Sequence, residues 1–440
     1  MVTLLTGAII GISLASYLLL VSNQNISTYR SQVWNSAIPV VEAGVEEALT
    51  QLEHNDINHL SANHWADLGN GWYSKTRYVD GRSYYDVMIQ KVEPPVIVST
   101  GYLPAPLAPF SSFGMIMGQV VSSPAATPYV KRRVRVNTRR RPLFHYAMLA
   151  KAGIVLAGNN ITTDGFDSTD PLYSTLGQYD PAKIKPSGDV KTISRAAGAI
   201  DVGNANITGH VGTGAGGTVS VGANGTVGDL KFVKADTQGI QKGWSSDDVD
   251  IQIDDVKEPF ESGYSTPSGG MDALGLTNYN YILSGDRTYK SSNLGGKVLV
   301  TGNETLWVTD TVSFGSGEFI YIAPGASLKL YVSAPTADIS GVVNSDGKAT
   351  SFQYYGLPAN KAINFGGNGA FTGSIYAPQA DFIMNGGGAN IQDFSGACVV
   401  NQVKMNGHFR FHFDEALNTS IFRGYVANSW NELDSNPVIR

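Results

Sequence analysis

Residues 4–21 read LLTGAIIGISLASYLLLV, and residues 33–53 read VWNSAIPVVEAGVEEALTQLE. The first stretch is apolar or small at nearly every position, and no charged residue precedes Arg30. In the second, Val33, Ala37, Val40, Val41, Gly44, Val45, Ala48, Leu49 and Leu52 recur at helical spacing, while Glu42, Glu46, Glu47 and Glu53 fill the other face. That periodicity predicts an amphipathic helix continuing an apolar one. The 18 apolar residues rise about 27 Å, enough to cross a bilayer core. A secretory signal would place basic residues ahead of the run. None is present, which fits a mature end whose basic leader has been removed. Gly7, Gly11 and Ala15 stand at the small-xxx-small spacing that lets helices approach closely. Pro39 is expected to interrupt the helix and kink it.

At 440 residues the chain exceeds one ordinary domain. A net charge of −6 gives no global reason to expect nucleic acid. Only 15% of residues are charged and 50 are glycine, a composition suited to an extracellular β-rich protein full of tight turns. The lone Cys398 excludes an intrachain disulfide, and its setting, GACVV, reads as a small buried hydrophobe.

Residues 54–141 read as a small sheet head. A polar turn region, His54 to Gly71, comes first. His54, His59 and His64 share no helical face and complete no ligand pattern, so a wet loop is expected rather than a metal site. Residues 84–92, 96–101 and 130–136 carry strand signals, with a Pro-rich loop (Pro104, Pro106, Pro109) between the last two. Lys131, Arg132, Arg133, Arg135, Arg139, Arg140 and Arg141 form the one dense positive cluster. No aromatics interleave with it as a nucleic-acid platform requires. Pairing with Glu42, Glu46, Glu47 and Glu53, or with neighbouring subunits, is expected instead.

From residue 142 to about 424, short β-branched runs alternate with Gly/Asn corners, as in GIVLAGNNI (153–161), GTVSVGANGTVG (217–228) and KVLVTGN (297–303). This punctuation predicts a solenoid of short parallel strands. Residues 229 to about 292 break the pattern with Asp247, Asp248, Asp250, Asp254, Asp255 and Glu258, and read as an insertion that leaves and re-enters the coil. Neither that run nor Asp164, Asp167 and Asp170 has calcium-loop spacing, so solvated acidic loops are expected. His412 and Asp414 share a strand face, and Asp414-Glu415 has the look of a catalytic pair. Their place in a terminal motif favours a cap. No P-loop, GxGxxG, G-x-S-x-G or H-E-x-x-H occurs. Catalytic, metal and cofactor assignments are therefore none. Residues 425–440 are expected to be a tail.

An uncharged apolar N-terminal helix running into VEAGVEEAL (41–49) resembles the N-terminal helix of type IV pilins and pseudopilins, of the PilX type. FGGNGAFTGSIYAP (365–378), DFSGA (393–397) and FHFDEAL (411–417) resemble the β-helical domain often fused after such a stalk. The resemblance implies an α+β, mainly β chain: a long helix (1–53), an antiparallel head (54–141), and a right-handed parallel β-helix (142–424). It implies inner-membrane residence before assembly into an extracellular filament with copies of itself or other pilin-like subunits, through Met1, Leu4, Leu5, Gly7, Ile9, Ile10, Gly11, Leu14, Leu18 and Pro39. Leu5 departs from the pattern, because major subunits carry Glu at the fifth mature position. Surface glycans are a further expected partner, with Tyr354, Tyr355 and Tyr376 as contact candidates or packing residues. A membrane-anchored adhesin and a polysaccharide-active enzyme are the rival readings.

Overall fold

The computed structural model describes residues 2–54, 57–105, 129–158, 160–272, 274–345, 347–366, 370–386 and 391–433. Met1, the side chains of Leu4 and His54, Pro106, Pro109, residues 367–369 of the Gly-rich motif and the tail beyond residue 433 lie outside the described residues. The protein is mainly β, with a long N-terminal helix and an antiparallel sheet. It divides into two units, residues 1–141 with 423–440, and residues 142–422.

In the first unit a single helix, α1 (Val2–His54), runs unbroken through Pro39. The expected interruption is absent for a physical reason. Proline inside a helix costs about 3 kcal/mol, but Ala37, Val40 and Val41 beside it are buried. Burying large aliphatics returns roughly 1.5–3 kcal/mol each, and Pro39 itself faces outward. Against the helix lies an antiparallel sheet in the order β1 (Ala66–Gly69), β2 (Trp72–Tyr78), β3 (Tyr84–Gln90), β4 (Val96–Pro104), β5 (Tyr129–Pro142), closed on its far edge by the strand Phe422–Leu433. The expected C-terminal tail is therefore a sheet strand as far as Leu433. The supposed wet loop after the helix also has structure: two short 3-10 turns, Ile57–His59 and Ser61–Asn63, precede β1. Leu60 and Trp65 bury their side chains there, and the indole of Trp65 donates to Gln51 Oε1 at 3.2 Å.

In the second unit most strand pairs are parallel. Tyr289, Leu306, Leu330, Tyr354, Ile375, Cys398, Met148, Val190 and Val211 pair in register, each with the next, as one inward-facing column. All nine are buried. The sequence of that column shows that spatial order is not chain order. The strand Met148–Leu156 sits between the short strand Val190–Thr192 and the late strand Gln392–Gly407. The chain works outward from Met148 as far as Ser245–Ser246, resumes at the opposite end with Thr288–Leu294, and works back. Residues 249–265 make the return along the neighbouring column. Val249 lies over Gly212, the Tyr376 hydroxyl donates to the Asp254 carbonyl at 2.7 Å, Phe260 meets the Trp307 ring edge-on, and Ser265 bonds to Thr288 and Lys290. Eight strand steps at about 4.8 Å make roughly 38 Å, within reach of an extended segment of that length.

The break in the pattern is shorter than the expected 229–292. Gly239–Ile240 and Ser245–Ser246 still pair in parallel with the stack, and Asn278–Leu283 already rejoins a parallel ladder. The corners need glycine where backbones close up. At Gly203 φ is +54°, and a Cβ would stand 2.5 Å from the Leu156 carbonyl oxygen.

Candidate functional site

Among the described residues, the N-terminal half of α1 makes no packing contact that would explain its composition. Leu5, Ile9, Ile10, Leu14 and Leu18 are 56–67% exposed, as are Ile12, Tyr17 and Leu20 to a similar degree. At 100° per residue these positions point in all directions, the pattern of a helix meant for lipid or for the interior of a bundle. A Cβ added at Gly7 or Gly11 would meet nothing within 4 Å, so no contact among the described residues requires their smallness. Among the described residues α1 is the one helix long and apolar enough to cross a membrane.

The C-terminal half is seated firmly. Val40, Val41, Val45, Ala48 and Leu52 pack with Tyr85, Val87 and Ile89 of β3, Ile97 of β4, and Val134 and Val136 of β5. Gly44 sets the approach, since a Cβ there would lie 2.4 Å from Ser99 Oγ and 3.0 Å from the Tyr85 ring. The Ser99 hydroxyl donates to the Val41 carbonyl at 2.9 Å across the same contact.

Charge pins this seat, with the expected pairing met by Glu53 and Arg141 and different partners elsewhere. Glu47 receives Lys75 at 3.1 Å, Arg77 at 2.7 Å and the Tyr85 hydroxyl at 2.6 Å. Glu53 pairs with Arg141 at 2.6 Å. Arg132 turns to Glu432 at 2.9 Å and lies over the Trp34 ring. Glu42 and Glu46 are exposed and make no ion pair among the described residues. Arg135 donates to Asn137, not to a helix carboxylate, and Arg133 forms no ion pair within the described residues. The helix phase explains this. Glu47 sits on the flank nearest β2 and β3, while Glu42 lies beside Arg132, Val134 and Trp430 on the other flank without pairing, and Glu46 is exposed.

The acidic and histidine motifs resolve into internal contacts. His412 is fully buried, with Nδ1 2.6 Å from Asp164 Oδ1 and Nε2 3.1 Å from Asp393 Oδ1. Tyr179 stacks on the imidazole at 3.5 Å and donates its hydroxyl to Asp164 at 2.8 Å, and Arg410 grips Asp393 through two nitrogens. Burial alone depresses the imidazole's affinity for protons, but the two carboxylates outweigh it and hold His412 above its ordinary range. Burial likewise pushes up the Asp393 carboxyl, and the His412 and Arg410 contacts bring it below its usual value. With both ring nitrogens engaged, the imidazole has no free lone pair to act as a base.

Asp414 is buried and raised by that burial; one oxygen accepts from the Ser168 and Ala416 amides. Glu415 pairs with Lys185. Asp167 and Asp170 accept from the nearby amides of Thr169 and Leu172. His59 and His64 are exposed, and no three metal-binding side chains converge among the described residues. Tyr354 is buried, and Tyr355 and Tyr376 lie in the column crossed by the returning segment, so all three pack internally. The partners of His412 lie 248 and 19 positions away, a spacing no local motif records.

A family model described as a domain of unknown function (DUF7305) matches residues 233–420, inside the second unit. No curated protein and no solved structure matches the chain.

Proposed function

We propose that this protein is a structural subunit of an extracellular filament of the type IV pilin kind. The subunit waits in the inner membrane and assembles by bundling residues 1 to about 22 with the same segment of other subunits. The observation that carries the reading is the division of α1. Its apolar half is exposed on every side, while its other half is fixed into the sheet of the first unit. Helix bundling would remove that surface from water at roughly 1.5–3 kcal/mol per large side chain, and a head-to-tail contact repeated from subunit to subunit builds a fibre. The second unit is read as a right-handed parallel β-helix displayed at the filament surface. The long in-register columns support the parallel stack.

Cross-linking tests this directly, because the native Cys398 is buried and unreactive. In a Gly7→Cys, Gly11→Cys variant, mild oxidation of material sheared from cells should give a ladder of disulfide-linked multimers. Monomers confined to the membrane fraction, with no ladder, would favour a membrane-anchored adhesin and overturn the filament reading.

A further inference from the structure

The outer face of the second unit carries a groove of about 430 Å³, lined chiefly by Phe314, Asp338, Ser340, Asn364, Ile383 and Asn385. It belongs to the region the uncharacterised family model covers. Asp338, Asn364 and Ile383 occupy one register position on three successive parallel strands, so their side chains line up across the groove about 4.8 Å apart.

The hydrogen-bonding capacity left over in this groove is of both kinds. One oxygen of Asp338 accepts from the Ser340 amide, leaving the other as an acceptor. Ser340 Oγ accepts from the Gly366 amide, leaving its O–H to donate. Asn385 Oδ1 accepts from Asn406, which leaves the Asn385 amide nitrogen as a donor. The Asn364 side chain makes no hydrogen bond among the described residues, so both its carbonyl and its amide face outward unspent. Hydroxyl groups donate and accept at once and match such a mixed set. The half-buried Phe314 ring and Ile383 add apolar surface beside these groups, as the C–H face of a sugar ring requires. The described lining holds one carboxylate and no lysine or arginine. Lys404, the next residue in the Ile383 register, is tied to Asp381 at 3.1 Å. The balance disfavours polyanions.

We propose that this groove binds a short stretch of a neutral polysaccharide, with the sugar rings against Phe314 and their hydroxyls on Asp338, Asn364 and Asn385. The proposal does not rest on filament assembly, since a single subunit already carries the whole groove.

The test is affinity electrophoresis and titration calorimetry of the full chain in detergent, with dextran, mannan and galactan as neutral probes and polygalacturonate and heparin as anionic ones. At least one neutral polymer should bind, and Phe314→Ala should weaken it about tenfold. Ser316→Trp, at an exposed lining position, should block the groove without touching the core, and serves if the Phe314 variant fails to fold. Failure of all three neutral polymers to bind would overturn the proposal, as would equal or better binding of the anionic ones. So would neutral binding that a folded Ser316→Trp chain retains in full.

Discussion

His412 shows how burial and charge compete at one residue. A buried imidazole ordinarily stays neutral, yet here Asp164 and Asp393 flank it, Tyr179 covers its face and Arg410 stands behind Asp393. A folded-state pKa above the unfolded value means the histidine stabilises the fold fully below about pH 6.5, and that this contribution is lost as pH rises through the raised value. Removing the ring while leaving the carboxylates should cost about 3 kcal/mol, discounted for the exposed part of Asp393. Denaturant titrations of the parent and His412→Phe chains between pH 6 and 9 should therefore converge as pH rises. A gap that stays constant or widens would show that the charged imidazole is not what stabilises the site.

Among elements, the returning segment 249–265 explains an aromatic column that otherwise has no purpose. Trp307, Tyr331, Tyr355 and Tyr376 pair in register, and the segment crosses them with Phe260 against Trp307 and a backbone carbonyl on Tyr376. Phe260→Ser should loosen this strap without unpairing the strands. Limited proteolysis within 249–265 should then run about tenfold faster, while the strands on either side stay protected; unchanged cleavage would mean that Phe260 does not hold it. The sequence reveals the elements more readily than their arrangement. Alternation marks β3, and Gly/Asn corners mark the short strands, because both follow from local geometry. The Asn70-Gly71 turn and the aromatic-rich WYSKTRY after it mark β2 locally as well, whereas β1 and the strand Phe422–Leu433 carry weaker local signals and are strands by virtue of their neighbours. The ion pairs of Glu47 depend on helix phase against a sheet, and the Asp164–His412–Asp393 contact on a fold that joins distant segments. Composition records neither. The groove around Phe314 and Asn364 leaves no local mark for the same reason, its residues being spread over four segments of chain.

At the scale of the whole molecule, each unit is completed from late in the chain. The strand Phe422–Leu433 borders β5 and brings Glu432 to Arg132, Ser429 to Asn137 and Tyr425 to Glu93. A chain ending at Ile421 should lose amide-exchange protection in β5 and in residues 37–52 of α1, by on the order of 2 kcal/mol or more of opening free energy; undiminished protection would show the strand to be dispensable. The same arrangement recurs in the second unit, where Met148–Leu156 finds one of its neighbours only in Gln392–Gly407. Its consequence falls on biosynthesis. At ~5–20 residues per second, a ribosome needs roughly 12–50 s to travel from residue 156 to residue 392. Throughout that interval a nascent chain exposes a hydrophobic strand edge open to wrong partners, so a holding chaperone should be needed most during translation of the middle third of the message.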